Sequence, residues 1–310
     1  MYFANLIKSL TVEGQDTILG SDNILYWSDY NRVMYDSRSY QSLGRFEKCE
    51  SFQSGESLFN RDMVDSEFRI FAEDCDLLQG VQFLTSLSSA WSGFAASYIQ
   101  SIRDEYPKLQ IWTWDCPNAT TPSKQGNRQE LQNRAMGFAN IHDYTSMIAT
   151  MRHDCIHNVD ANNDAKSPWE KSAVQCFDLD TLTLFPKSGK GPQMSDFSMM
   201  IFETDHLKIS TIQDLSFDPL SRMVKIRRGV TNASTAPTLK GHVLEYTHPA
   251  AFPDQSSFPD VLNGIDASSL AYSPQNAKNE IRTCIQFAPK DVKAELEDIL
   301  GHYEEDDDIE

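Results

Sequence analysis

Six residues, Ser88-Ser89-Ala90-Trp91-Ser92-Gly93, separate a mostly apolar run from a segment whose apolar residues recur at helical spacing. A strand-to-helix turn of small residues is where a fold can cradle a phosphate. Its bare backbone lets N–H groups approach an anion, and the helix N-terminus adds positive dipole. Ser88, Ser89 and Ser92 supply hydroxyl donors and Gly93 allows close approach, so these four are the candidate cofactor-binding residues. Trp91 argues the other way, because it puts an indole where that approach would occur. A packed turn that binds no phosphate is therefore the favoured reading.

Other constellations fail on spacing. His153, Asp154, Cys155 and His157 are metal-capable types, and in an extended strand His153, Cys155 and His157 would share a face. A zinc site needs further ligands at a recognisable spacing, and none is visible. Asp160-Ala161-Asn162-Asn163-Asp164 imitates the start of a calcium loop, but Ala165 stands where glycine is required and Lys171 where a bidentate glutamate belongs. Ser188-Gly189-Lys190-Gly191 lacks the upstream glycine of a Walker loop. Neither Gly-x-Ser-x-Gly nor His-Glu-x-x-His occurs, so no catalytic residues and no metal ligands are nominated and no enzymatic activity is expected.

The elements that must position the serine loop are legible around it. Residues 75–116 read as strand, loop, helix and strand, because the hydrophobic pattern changes from continuous to helical and back. Phe94, Tyr98, Ile102 and Tyr106 recur every four residues and the helix stops at Pro107. Trp112 and Trp114 then sit in a run suited to a parallel strand covered on both faces. Further on, 128–151 reads as one helix and 158–168 as a polar linker. Stretches 173–185, 198–203 and 223–228 suggest strands or short helices. Residues 231–260, rich in Pro, Ser and Thr, suggest an irregular excursion. Ser273 and Pro274 predict a helix start ahead of Ala277, Ile281 and Ile285, and Asp291 opens another helix carrying Val292, Leu296, Ile299 and Leu300. Residues 304–310 form an acidic tail, expected to stay solvated and disordered.

The 75–116 unit resembles tubulin in residue order. Cys75-Asp76, Leu78-Gln79-Gly80 and Gln82 match the tubulin strand, and Ile102-Arg103-Asp104-Glu105-Tyr106-Pro107 matches the end of the following helix. The glycine-rich loop between them is replaced by the serine–tryptophan segment and is one residue shorter. A tubulin-like family with a degenerate loop fits better. Tyr26-Trp27-Ser28-Asp29-Tyr30, Glu73-Asp74-Cys75-Asp76 and Ser92-Gly93 resemble motifs of the Misato family, called Misato-like or DML in fungi. More weakly, Asp180-Thr181-Leu182-Thr183-Leu184 resembles a strand of that family.

The resemblance implies an α/β, tubulin/FtsZ-like, Rossmann-type layered sheet with a degenerate phosphate loop and a smaller second α/β subdomain. The corresponding division is 1–157, linker 158–168, and 169–303 with the excursion inside it. Tubulin-like proteins open with a βα unit whose Gly-Gln-x-Gly-Asn-like loop contacts nucleotide. Met1 to Gly20 offers no such loop, so a truncated start and a lost first strand both stay open. The implied function is a non-catalytic role in mitochondrial distribution and partitioning and in inheritance of mitochondrial DNA. It carries no cofactor, with GTP as the lesser alternative. Implied partners are proteins at the mitochondrial surface or the cytoskeleton, including tubulin or chaperonin in a spindle-assembly alternative. The implied location is the cytosolic face of mitochondria and the cytoplasm.

Composition adds exclusions. With 310 residues, 40% hydrophobic and 23% charged, the chain is long enough to bury a full core. Its 27 basic against 45 acidic residues give a net charge of −18, which disfavours direct nucleic-acid binding. Lys225-Ile226-Arg227-Arg228 is the one dense basic patch and reads as a solvated strand end. No stretch approaches the roughly 18 to 20 consecutive apolar residues of a membrane span, so a soluble protein is expected. Tyr2 to Ile7 is too short for a signal peptide, and the first arginine is Arg32, so no import signal is read. Six scattered cysteines suggest reduced thiols, and the Asn118 and Asn232 glycosylation patterns are then coincidental.

Overall fold

The computed structural model describes residues 35–39, 43, 49–116, 128–151, 168–188, 192–202, 206–213, 223–230, 238–240, 243–249, 269–273 and 277–307. The motif at Tyr26 to Tyr30, the His153 to His157 group, the calcium-like run and Gly189 to Gly191 lie outside these residues, as do Asn118 and Asn232.

Among the described residues a 3-10 turn (Ser37–Ser39) is followed by α1 (Phe52–Glu56), a π-type turn (Met63–Phe68) running into α2 (Arg69–Glu73), then β1 (Gly80–Thr85), α3 (Trp91–Glu105) and β2 (Gln110–Asp115). Ser51 and Ser54 close the short α1 reciprocally. The Ser51 hydroxyl accepts from the Ser54 N–H at 3.2 Å, and Ser54 Oγ accepts from the Ser51 N–H at 3.1 Å. β1 and β2 are parallel, registered from Gly80 opposite Gln110 to Thr85 opposite Asp115. The βαβ unit expected from the sequence is therefore present, with its loop at the carboxyl ends of both strands. In an open parallel sheet that is the edge where ligands bind.

The chain continues through α4 (Arg128–His142), β3 (Met147–Thr150), α5 (Pro168–Ser188), α6 (Met194–Ile201) and β4 (Ile209–Gln213). It then adds β5 (Met223–Arg228), β6 (Thr238–Lys240), β7 (Val243–His248), β8 (Ser269–Ser273), α7 (Ala277–Phe287) and α8 (Lys290–Asp307). All described strands join one sheet in the order β1-β2-β3-β4-β8-β5-β7-β6. β1 to β4 are mutually parallel, and β8 enters antiparallel between β4 and β5. This is the layered α/β fold implied by the resemblance, with the later strands continuing the same sheet.

Strand alternation sorts β2 into two faces. Thr113 meets Thr145 beyond α4, and Asp115 meets Leu87 of the turn and Arg134 of α4, whereas Trp112 packs edge-on against Phe197 of α6 and donates its indole N–H to Ser198 at 2.9 Å. Trp112, Trp114, Phe138, Phe177 and Phe197 have essentially no exposed surface. Each such side chain contributes about 2–3 kcal/mol by burial, so the loop is anchored on a rigid double-sided strand.

Several expected elements differ. The helix predicted over 128–151 ends at His142. Thr145 Oγ1 donates to the Ile111 carbonyl at 2.8 Å and the Ser146 N–H donates to it at 2.7 Å, which draws the chain into the sheet as β3. The strand expected at Asp180 to Leu184 lies inside α5. There Thr183 Oγ1 bonds back to the Leu179 carbonyl at 2.8 Å, and Asp180 pairs with Arg228 of β5 at 2.7 Å. Tertiary packing overrides the strand preference of the threonines. The excursion at 231–260 contains β6 and β7, because β7 pairs in parallel with β5 over six residues. In the expected tail, helix α8 runs on through Asp307. Residues 274–276, including the expected helix-starting Pro274, fall outside the described residues.

Candidate functional site

Thr85 ends β1, Ser86 to Ala90 form the turn, and Trp91 begins α3. Several donors of the turn and of the first turn of α3 are spent locally. The Ser89 N–H donates to the Ser86 carbonyl at 3.1 Å, Ser92 N–H to the Ser89 carbonyl at 3.1 Å, and Gly93 N–H to the Ala90 carbonyl at 3.1 Å. The Trp91 N–H reaches Ser89 Oγ at 3.3 Å. Side chains follow the same pattern. Ser89 Oγ donates to the Ser86 carbonyl at 2.9 Å, Ser92 Oγ to the Ser89 carbonyl at 2.7 Å, and the Ser86 and Ser88 hydroxyls lie 3.2 Å apart.

One loop donor does meet an anion, and the anion is internal. The Leu87 N–H donates to Asp115 Oδ1 at 3.0 Å. Asp115 is fully buried at the end of β2, so the register of β1 and β2 places its carboxylate against the turn. Its other oxygen lies 2.8 Å from Arg134 of α4, a close charge contact rather than a well-directed hydrogen bond. Arg134 also binds Glu280 of α7 at 3.0 Å and lies over the Phe138 ring at 5.3 Å. Burial opposes the Arg134 charge, but Asp115 and then Glu280 outweigh it and hold the guanidinium protonated above its ordinary range.

Asn133 clasps the turn from the side. Its Nδ2 donates to the Glu50 carbonyl at 2.7 Å and the Ser88 carbonyl at 3.3 Å, while Oδ1 accepts from the Phe52 N–H at 2.9 Å. These bonds seat α1 on the start of α3. The seating is backbone to backbone. A Cβ on Gly55 would fall 1.6 Å from the Ala90 carbonyl oxygen, and one on Gly93 would fall 2.0 Å from that of Phe52. Only glycine permits this approach.

The four predicted residues are thus brought together, but Gly93 serves α1 rather than a ligand. Trp91 does not fill the turn. Its indole is half-exposed and stands edge-on to Phe94 at 5.7 Å. The turn is closed by α1, Asn133 and Asp115, none of which loop composition signalled. Asp115 was the most discoverable, as the sole acidic residue of the run 110–115, at a strand end beside the loop. A phosphate here would compete with the local bonds of the Ser89, Ser92 and Gly93 N–H groups and would lie beside the buried Asp115 carboxylate. Nearby thiols offer no nucleophile. Burial, aided by Asp115, pushes Cys116 up to about 12, and burial pushes Cys284 up to about 12. Among the described residues no His, Cys, Asp and Glu group could hold a metal, and no helix is long and apolar enough to cross a membrane.

A parallel β1–β4 sheet with this strand–turn–helix unit defines a tubulin-type layered protein. The family described as Tubulin domain (Tubulin_3) matches residues 17–187, more than half of the chain, and the chain belongs to it. Its curated relatives include Protein DML1 of Gibberella zeae, 33% identical over 192 residues, covering 57% of this chain and 38% of that protein. Protein dml1 of Aspergillus clavatus is 34% identical over 178 residues, covering 54% and 36%. Protein dml-1 of Neurospora crassa is 32% identical over 182 residues, covering 54% and 34%. The Misato-like resemblance is borne out, and the chain spans less than two fifths of the length of each of these relatives.

Proposed function

We propose that this chain belongs to a tubulin-like protein that works without nucleotide chemistry, as a non-catalytic adaptor in the partitioning of mitochondria and the inheritance of their DNA. The observation that carries the first half is the internal carboxylate: Asp115 takes the turn N–H of Leu87 that an anion would otherwise engage. The proposal is that a fold keeping the tubulin-type strand, turn and helix, with several donors of the turn engaged inward, serves as a binding surface. The mitochondrial half rests on the Misato-like kinship. The location proposed on that basis is the cytosolic face of mitochondria and the cytoplasm, and the partners proposed are proteins of the organelle surface or the cytoskeleton.

The test is live imaging of mitochondria and spindles together in dividing cells after acute depletion of the full-length protein. Mitochondria that fail to reach daughter cells while spindles stay normal are the expected result. Spindles that fail first would overturn this reading in favour of a factor acting on tubulin or its chaperonin.

A further inference from the structure

The described sheet ends in two unlike edges. At one end β6 is only three residues long, and shortness itself protects an edge strand from unwanted pairing. At the other end β1 runs for six residues, Gly80-Val81-Gln82-Phe83-Leu84-Thr85, without a charge or a proline. It pairs with β2 residue for residue, so no bulge turns it away. Charge, proline and bulges are the usual protection of a sheet edge, and β1 has none of them. No described strand pairs with its outer side. The Cys116 N–H donates to the Thr85 carbonyl at 2.7 Å. Alternation therefore turns the backbone groups of Val81, Phe83 and Thr85 toward β2 and those of Gly80, Gln82 and Leu84 outward.

Both faces of this margin are apolar. On the α3 side Phe83 stands edge-on to Tyr98 at 5.6 Å, and Tyr98 in turn meets Phe59 at 5.6 Å and Phe94 at 5.9 Å. Each of these rings keeps part of its surface exposed. On the opposite side Leu84 is 56% exposed, two residues from Gln82, whose Oε1 accepts from the Trp114 indole N–H at 3.1 Å. The approach to β1 has a different character. Glu73, Asp74 and Asp76 are all exposed there, with Arg38 3.9 Å from Asp74, and Leu77 follows, 72% exposed.

We propose that the outer edge of β1 is a docking site for an extended segment of a partner protein, one with alternating apolar residues and a basic end. The existence of a protein partner is taken from the adaptor reading above; the edge itself is not. Strand addition draws affinity from main-chain hydrogen bonds and specificity from alternate side chains. The outward groups of Gly80, Gln82 and Leu84 supply the first. Phe83 with its aromatic neighbours on one face, and Leu84 on the other, supply the second. Charge decides between occupants. A second copy would bring another net charge of −18 to the joint, whereas a lysine or arginine at the end of an added strand would meet Glu73, Asp74 and Asp76.

Peptides selected from a random phage-displayed library on the folded chain are the probe. They should carry alternating apolar residues with a lysine or arginine at one end. Their addition should slow amide exchange at Gly80, Gln82 and Leu84, which is fast in the chain alone, and leave Val81, Phe83 and Thr85 little changed. Leu84→Pro removes an outward donor and leaves the β1–β2 bonds in place. It should weaken peptide binding by about tenfold, the order of one lost main-chain hydrogen bond. The double variant Glu73→Lys/Asp76→Lys should also weaken binding and remove its sensitivity to salt. If Leu84→Pro does not fold, Leu84→Lys, a charge at an exposed edge position, takes its place with the same expected sign. Outer amides already protected in the free chain, or a dimer dissociated by either Leu84 variant, would overturn the proposal, because the edge would then be occupied by this chain itself. Failure to select any such peptide, or binding indifferent to the Leu84 variants, would overturn it equally. Normal mitochondrial partitioning after depletion would count against the adaptor's cellular role alone, so the two fail separately.

Discussion

Asp115 shows how one side chain can redirect a familiar turn. Its carboxylate answers the Leu87 N–H and the Arg134 guanidinium at once, so removing it leaves a buried donor and a buried cation half-compensated. Asp115→Ala should lower unfolding free energy by about 3–5 kcal/mol, the cost of breaking a buried pair from one side. Asp115→Asn, which keeps a hydrogen-bond acceptor for Leu87, should cost less. Urea unfolding of the two variants measures the difference, and equal midpoints for Asp115→Ala and the unaltered chain would show that the carboxylate holds nothing. Part of this is readable in advance. The serines, Gly93 and the strand–helix frame stand in the sequence, whereas the pairing of Asp115 with Leu87 depends on the β1–β2 register.

Between elements, the decisive contact is α1 lying on the first turn of α3. Gly55 and Gly93 bring two backbones together there, and Asn133 of α4 ties both to the turn. Gly55→Ala forces a Cβ into the Ala90 carbonyl, a fixed backbone atom, so about 3 kcal/mol of stability should be lost or folding should fail. A thermal melt matching that of the unaltered chain would mean that α1 is not seated as described. Local pattern locates α3 and β2 because each has a single clear period ending at Pro107 or bounded by turns. It misjudges 128–151, and the strand that the family resemblance suggested at 180–184 is helix, for different reasons. Thr145 and Ser146 are pulled into the sheet by the Ile111 carbonyl, a partner 34 or 35 residues away. The threonines of α5 are held helical by burial and by Arg228 of β5. β7 is hidden inside a Pro- and Ser-rich stretch because its support comes from parallel pairing with β5.

Across the whole molecule, a tubulin-type sheet carries a turn at the carboxyl ends of β1 and β2 that is braced from within. The bracing runs from α1 through Asn133 to the Asp115–Arg134–Glu280 chain, so it couples the turn to α4 and α7. Such coupling makes the edge a structural joint between the turn, α4 and α7. Equilibrium calorimetry of the folded chain with GTP and magnesium tests the proposed lack of nucleotide chemistry most directly. No saturable heat up to millimolar nucleotide is the predicted result. Saturable binding that disappears when Ser88 or Ser89 is replaced in a still-folded protein would contradict it, because the turn would then be open to phosphate after all.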